Sequence, residues 1–213
     1  MGAKKLDGRR ERSRLTRGRI VAAATRLFLD DGYVATTMED VAERAGVAVQ
    51  TVYYVFGTKP NLLAAVLDVS IAGDLEFIPV RQRPWVDSIR GGQDATAAVE
   101  LLVEESVRIV ARTAPIYEVV RRAAADPDVN ALLENTRRHR RDDQRALIEI
   151  LAGAGHLRTA TGVDTAADVL YAVINEEVFE LLTADCNWDV DRFRRWATSL
   201  MLQQLVGIDA TDA

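Results

Sequence analysis

Cysteine occurs once in this chain, at Cys186, and histidine twice, at His139 and His156. A single thiol excludes an intramolecular disulfide and suits a reducing compartment, and so few soft ligands make no zinc site. Lysine is almost as scarce: Lys4, Lys5 and Lys59 are the full set. No apolar run approaches the roughly 18 residues that span a bilayer. The basic start, Met1 to Leu6, has no apolar stretch behind it of the kind a signal peptide needs. No glycine-rich phosphate loop and no alternating strand pattern occur. The carboxylate pairs Asp30-Asp31, Asp142-Asp143 and Glu176-Glu177 are adjacent in helical stretches, so their side chains diverge instead of sharing a substrate. These absences point to a cytoplasmic protein that is not an enzyme, with no cofactor, no metal and no membrane partner.

What is present is apolar side chain in quantity: 48% of the 213 residues are hydrophobic, enough for a sizeable core in one large or two modest domains. The net charge of -5 is unevenly spread. Residues 1–67 hold eleven basic and seven acidic side chains, a balance of +4, which leaves -9 for the remainder. A basic segment attached to an acidic body is the footprint of a nucleic-acid-facing head.

Residues 1–15 are polar, basic and without periodicity, and read as a disordered arm. From Thr16 a helical stripe begins, with Ile20, Ala24, Leu27 and Phe28 on one face, and Asp31-Gly32 closes it. After the link Tyr33-Val34-Ala35, Thr36 or Thr37 starts a second helix, each with an acidic residue at capping-box spacing (Glu39 and Asp40). Val41, Ala42 and Ala45 face inward, Gly46 breaks the helix and Val47 plugs the turn. A third helix runs from Val49 to Phe56 with Val52 and Phe56 buried, and Gly57 ends it. Thr58-Lys59-Pro60 opens a fourth that continues to about Ala72.

Two short helices crossing at a turn need small residues at the crossing, a turn position tolerant of positive φ, and apolar anchors behind the exposed helix. Ala42, Gly46, Val47 and Val52 supply these, which makes 36–56 a helix-turn-helix. Gln50 and Thr51 at the start of the exposed helix are candidates for base contact, since glutamine pairs bidentately with adenine and threonine offers a hydroxyl and a methyl. Tyr53, Tyr54 and Lys59 suit phosphates, with Tyr53 the more packed of the two tyrosines. Thr36, Thr37 and Arg17 complete the expected DNA-binding set.

From Thr16 to Leu67 the sequence resembles the DNA-binding domain of TetR-type transcriptional regulators. The resemblance is carried by Ile20…Ala24…Leu27-Phe28, Asp31-Gly32-Tyr33, Thr36-Thr37-Met38-Glu39-Asp40-Val41-Ala42, Ala45-Gly46-Val47, Val52-Tyr53-Tyr54-Val55-Phe56 and Lys59-Pro60-Asn61-Leu62-Leu63. It implies an all-α fold of about nine helices. A three-helix head would occupy 16–67, and a helical effector-binding and dimerisation body would occupy 68–213. It implies a homodimer on a palindromic double-stranded DNA operator, most simply a repressor responding to a small organic effector. An activator or ligand-independent regulator of the same fold is the alternative, and an enzyme with a fused helix-turn-helix a more distant one. Two positions depart from the family pattern. Ala48 stands where Ser or Thr often caps the recognition helix, and Val55 where His is common. The resemblance also lets Arg12, Arg14, Arg17 and Arg19 reach along the DNA backbone or into a minor groove.

Residues 73–94 hold Gly73, Pro79, Pro84, Gly91 and Gly92 and read as a broken connection. Helices follow over 95–114, 116–125, 127–151, 165–184 and 189–206. The last two are apolar around much of their circumference, as helices buried on two sides are. Leu170, Ile174, Phe193, Trp196 and Leu200 are therefore expected at the dimer interface, where the resemblance also places it. The effector pocket is placed in the body by resemblance alone, with Phe77, Trp85, Ile109, Tyr117, Tyr171 and Phe179 as walls and Glu104, Arg108, Asn175 and Glu176 as polar groups. The run Arg137-Arg138-His139-Arg140-Arg141 reads as a solvated face answered by Asp142 and Asp143.

Overall fold

The computed structural model describes residues 2–74, 78–92, 94–158 and 160–207, with side chains from Glu11 onward. Among these residues every regular element is helical. In order they are α1 (Gly2–Asp30), α2 (Gly32–Ala35), α3 (Met38–Ala45), α4 (Val49–Phe56), α5 (Lys59–Ala72), α6 (Pro84–Gly91), α7 (Ala95–Arg122), α8 (Pro127–Gly153), α9 (Val163–Val173), α10 (Glu176–Glu180) and α11 (Val190–Met201). Turns of π-helix extend α10 over Leu181–Asp185 and α11 over Leu202–Val206.

The chain divides into two compact units. The first is Met1–Ser70 with Pro115–Leu133, the second Ile71–Ala114 with Glu134–Ala213. The tip of the α7–α8 hairpin, expected in the body, thus belongs with the head, where Ile116, Tyr117, Val120, Val129 and Leu133 are buried. The rest of the first unit's core is the expected one: Ile20, Ala24, Leu27 and Phe28 of α1, Val41, Ala42 and Ala45 of α3, Val52 and Phe56 of α4, and Leu62, Leu63, Val66 and Leu67 of α5.

Four segments differ from expectation. Residues 2–15 are helical, continuous with α1. Lysine, arginine, leucine and glutamate are good helix formers, no proline intervenes, and Glu11 and Arg14 pair one turn apart at 2.8 Å. Residues 84–91 form a helix in the stretch read as broken: Pro84 sits in its first turn, where no N–H is missed, and Val86 and Ile89 are buried. Pro115 does not end α7. It removes one donor, the N–H that would reach Ala111, while buried Ala114, Ile116 and Tyr117 on either side hold the helix together. The expected helix 165–184 breaks at Ile174, and Asn175 restarts it by accepting from Val178 N at 2.8 Å.

The second unit buries Val99, Leu102, Val103, Val107 and Val110 of α7 with Leu147, Ile148 and Leu151 of α8. Ala166, Leu170, Ile174, Phe179, Phe193, Ala197 and Met201 from the last three helices complete this core. No single helix among the described residues is long and apolar enough to cross a membrane.

Candidate nucleic-acid interface

The turn between α3 and α4 is built by backbone bonds. Gly46 adopts φ +64°, so its N–H reaches Glu43 O at 3.0 Å and Val47 N reaches Ala42 O at 3.0 Å. This paired closure ends α3 and needs a residue tolerant of the left-handed region. Arg19 adds a bond absent from the sequence reading: its Nη2 donates to Gly46 O at 3.4 Å and ties α1 to the turn. At the other end of α3 the cap is Thr37, not Thr36. Thr37 Oγ1 accepts from Asp40 N at 3.1 Å, and Asp40 Oδ2 accepts from Thr37 N at 2.9 Å. Those bonds from Thr37 hold the Asp40 carboxyl below the usual carboxylate range.

α4 presents a clear division. Val52 and Phe56 are buried, while Gln50 is exposed, Tyr53 is 46% exposed and Tyr54 is 91% exposed. Thr51 is half-buried. An aromatic side chain almost wholly in solvent on a helix whose back is fully anchored is an uncommon expense of apolar surface, and it marks a contact face. Ala48 at the cap has φ -68° and ψ 143°, the extended geometry of a cap residue, with no side-chain bond to the helix. Thr51 N already reaches Ala48 O at 2.9 Å, and the N–H groups of Val49 and Gln50 remain available to an acceptor.

Three expected contacts stand differently. Thr36 is 2% exposed and donates its hydroxyl to Gly32 O at 2.8 Å, so it braces α2. Lys59 is committed inward: Nζ donates to the carbonyls of Tyr33 at 2.9 Å and Thr36 at 3.0 Å, with Val34 O at 3.5 Å, and it lies 4.3 Å from the centre of the Tyr33 ring. Its ammonium closes the C-terminal end of α2. Arg17 lies with its guanidinium 4.8 Å from the centre of the Phe56 ring, on the first turn of the apolar part of α1. Tyr33 itself is buried. Burial first, and then the charges of Asp126 and Asp128, push its phenol up to about 12, so it stays a neutral donor.

The residues proposed for an effector pocket lie in differing surroundings. Phe77 lies outside the described residues. Glu104 and Arg108 are exposed and pair with each other at 2.7 Å, Arg108 also pairing with Glu105. Tyr117 belongs to the first unit. Asn175 is spent on capping α10 and donating to Tyr171 O at 3.0 Å. Trp85 is partly buried on the second unit's core, and Phe179 is buried edge-on to Phe193, with ring centres 5.1 Å apart. Ile109, Tyr171 and Glu176 remain, the last two in a polar cluster with Arg140. That cluster corrects the reading of 137–141 in part: Arg140 and Arg137 pair with Glu176 and Glu177, 36 to 40 residues away, while Asp143 interacts with the His139 of the run. Among the expected interface residues, Leu170, Ile174 and Phe193 are fully buried within the subunit itself, because the face they occupy is the one turned to its own core. Trp196 and Leu200 are half-buried.

Residues 20–66 match the family model for bacterial regulatory proteins of the tetR family. Over 59 residues the chain is 41% identical to the HTH-type transcriptional regulator TtgR of Pseudomonas putida, covering 28% of each. Over 51 residues it is 43% identical to the HTH-type transcriptional activator FasR of Mycolicibacterium smegmatis, covering 24% of this chain and 23% of that one. The chain thus spans about a quarter of the length of the curated relatives it matches. The fold is similar throughout to that of FadR from Bacillus subtilis, solved in complex with stearoyl-CoA. The TM-score is 0.66 at 17% identity, covering 89% of this chain and 98% of that one.

Proposed function

We propose that this chain, whose residues 20–66 belong to the tetR family of bacterial regulatory proteins and whose fold is that of solved family members, is a sequence-specific transcriptional regulator. The observation that carries the reading is α4: a helix anchored by Val52 and Phe56, held to α3 by the Gly46 turn, with Gln50, Tyr53 and Tyr54 presented outward. Gln50 and Thr51 read base edges in the major groove, while Tyr54 and Thr37 set the register on sugar and phosphate. Tyr53, less exposed, shares that role through its hydroxyl. The basic residues along α1 supply the sequence-independent attraction.

One such head reads too few base pairs for useful specificity, so the chain acts as a homodimer on a palindromic operator in the cytoplasm. Leu181 and Val190 are exposed at 53% and 46%. With half-buried Trp188, Trp196 and Leu200 they offer the apolar surface for pairing. The body binds a small organic effector, which acts through its different affinity for two conformations. The chain represses in this reading and has no catalytic role. Its likeness to FasR, an activator, favours activation as the second reading.

The test is a gel shift on the DNA upstream of the chain's own coding region, at several salt concentrations, with Gln50→Ala beside the wild type. The variant should lose about 1–3 kcal/mol of operator binding and little nonspecific binding. Equal losses on both DNAs would remove Gln50 from base reading, and no wild-type shift at low salt would overturn the function itself.

A further inference from the structure

Arg140 and Glu176 are charges in an expensive place. Their side chains are 13% and 6% exposed, inside the second unit, and form a close ion pair. A buried pair of this kind contributes little to stability compared with apolar residues of the same volume. Most of what the guanidinium touches is anionic or aromatic, and it shares those groups with Arg137, which pairs with Glu177 at 3.2 Å, and with Arg141, whose guanidinium lies 5.3 Å from the centre of the Tyr171 ring. Beside Glu176, Arg140 faces Glu177 Oε2 at 3.7 Å, the Tyr171 hydroxyl at 3.4 Å from Nη2, and the Tyr171 ring, whose centre is 4.9 Å away. Two carboxylates, a phenolic oxygen and a ring face are what a cation leaving water requires.

The two members of the pair are not equally fixed. Glu176 lies in the first turn of α10, behind the Asn175 cap, and its Oε1 accepts the hydroxyl of fully buried Thr113 at 3.0 Å. Arg140 hangs on a long stem from the middle of α8. One turn further along α8, Gln144 is 7% exposed. Its Nε2 donates to Ile174 O at 3.1 Å, while its buried Oε1 has no hydrogen-bond partner. A buried acceptor is thus left over one turn from Arg140 on α8, and the exchangeable member of the pair is the cation. An anion would have to expel Glu176 and break its bond to Thr113.

We propose that Glu176, Glu177 and the Tyr171 ring form the seat of an organic monocation, which recognises the effector by taking the place of the Arg140 guanidinium. This rests on the effector-responsive reading above and narrows it to planar or aromatic cations of the amidinium type.

Benzamidinium, benzamide and benzoate share a shape and differ in charge, so the full-length protein can be titrated with each by calorimetry. The wild type should bind benzamidinium and neither of the others. Glu176→Gln should weaken that binding at least about tenfold, and Tyr171→Leu, which removes no charge, several-fold. Arg140→Ala should tighten it about tenfold or more, because the internal competitor is gone. Binding by Arg140→Ala alone, with none by the wild type at the same concentration, reduces the cluster to a structural ion pair and overturns the proposal. So does equal binding of benzamide or benzoate. If Arg140→Ala does not fold, the wild-type, Tyr171→Leu and Glu176→Gln titrations decide by themselves. A wild type that shifts operator DNA yet ignores benzamidinium refutes the cation seat and leaves the regulator standing. One that shifts no DNA refutes the regulator.

Discussion

On α4 of the head, the most exposed large side chain is an aromatic, Tyr54, whereas in the body a guanidinium, Arg140, is buried among carboxylates and a ring. The inversion extends to how polar groups are satisfied. In the head, side chains serve the backbone: Thr37 caps α3, Lys59 closes α2, Arg19 holds Gly46, and Asn61 donates to Phe56 O at 3.1 Å. In the body the decisive bonds join side chains far apart in sequence, Thr113 with Glu176 and Arg140 with Glu176. A recognition surface must be rigid and wet, so its polar groups fix chain ends and leave the outer face free. A body that responds to a ligand needs polar groups inside, where their energies are large and two arrangements can compete.

That contrast should show most strongly when Glu176 is removed. Glu176→Ala takes away the closer of the two carboxylates that Arg140 faces and leaves a buried charge only partly answered by Glu177, at an expected cost of up to about 3–5 kcal/mol in urea unfolding. Pairing Glu176→Leu with Arg140→Met should recover most of it, since apolar replacements of a whole pair are commonly neutral or better. If Glu176→Ala unfolds like the wild type, the pair is solvated in solution and the contrast between the units fails.

Lys59 tests the head's side of the comparison. Lys59→Met leaves the carbonyls of Tyr33 and Thr36 without their donor and should cost about 1–3 kcal/mol of stability. The salt dependence of operator binding should not change. Were Lys59 a phosphate contact, the slope of log K against log salt would fall by about one per protomer. The two measurements separate a fastener from a DNA contact.

How much of this was legible in the sequence follows the same line. The head's core, the Gly46 turn, the absent cap at Ala48 and the ordering of Tyr53 and Tyr54 were readable, because each depends on residues within one or two helical turns. Lys59 was not: the carbonyls it meets lie 23 to 26 positions away, and a lysine's sequence context does not say which way its stem turns. The body hid more. A proline suggested an end to α7 that buried neighbours overrode, and a continuous apolar pattern concealed the restart at Asn175. One signal was there to be used: asparagine followed by two glutamates is a cap with an acidic first turn. The partners of Arg137 and Arg140 on α10 could not be found locally, since they lie 36 to 40 positions away; Arg137 keeps one pair within its own helix, with Glu134 at 3.7 Å.

The smallest expected effect is a gain. Ala48 already holds the extended cap geometry, φ -68° and ψ 143°, and Thr51 N reaches its carbonyl at 2.9 Å. Only a side-chain acceptor is missing. Ala48→Ser places a hydroxyl within reach of an orphan N–H at the start of α4 and should add about 0.5–2 kcal/mol to the stability of the head. The same substitution bears on binding. If those N–H groups serve a DNA phosphate, the new hydroxyl competes for one of them, and the stabilised variant should bind operator no better, or slightly worse, than the wild type. Stability and affinity rising together would mean that the open cap is merely unfilled and that α4 meets DNA through its side chains alone.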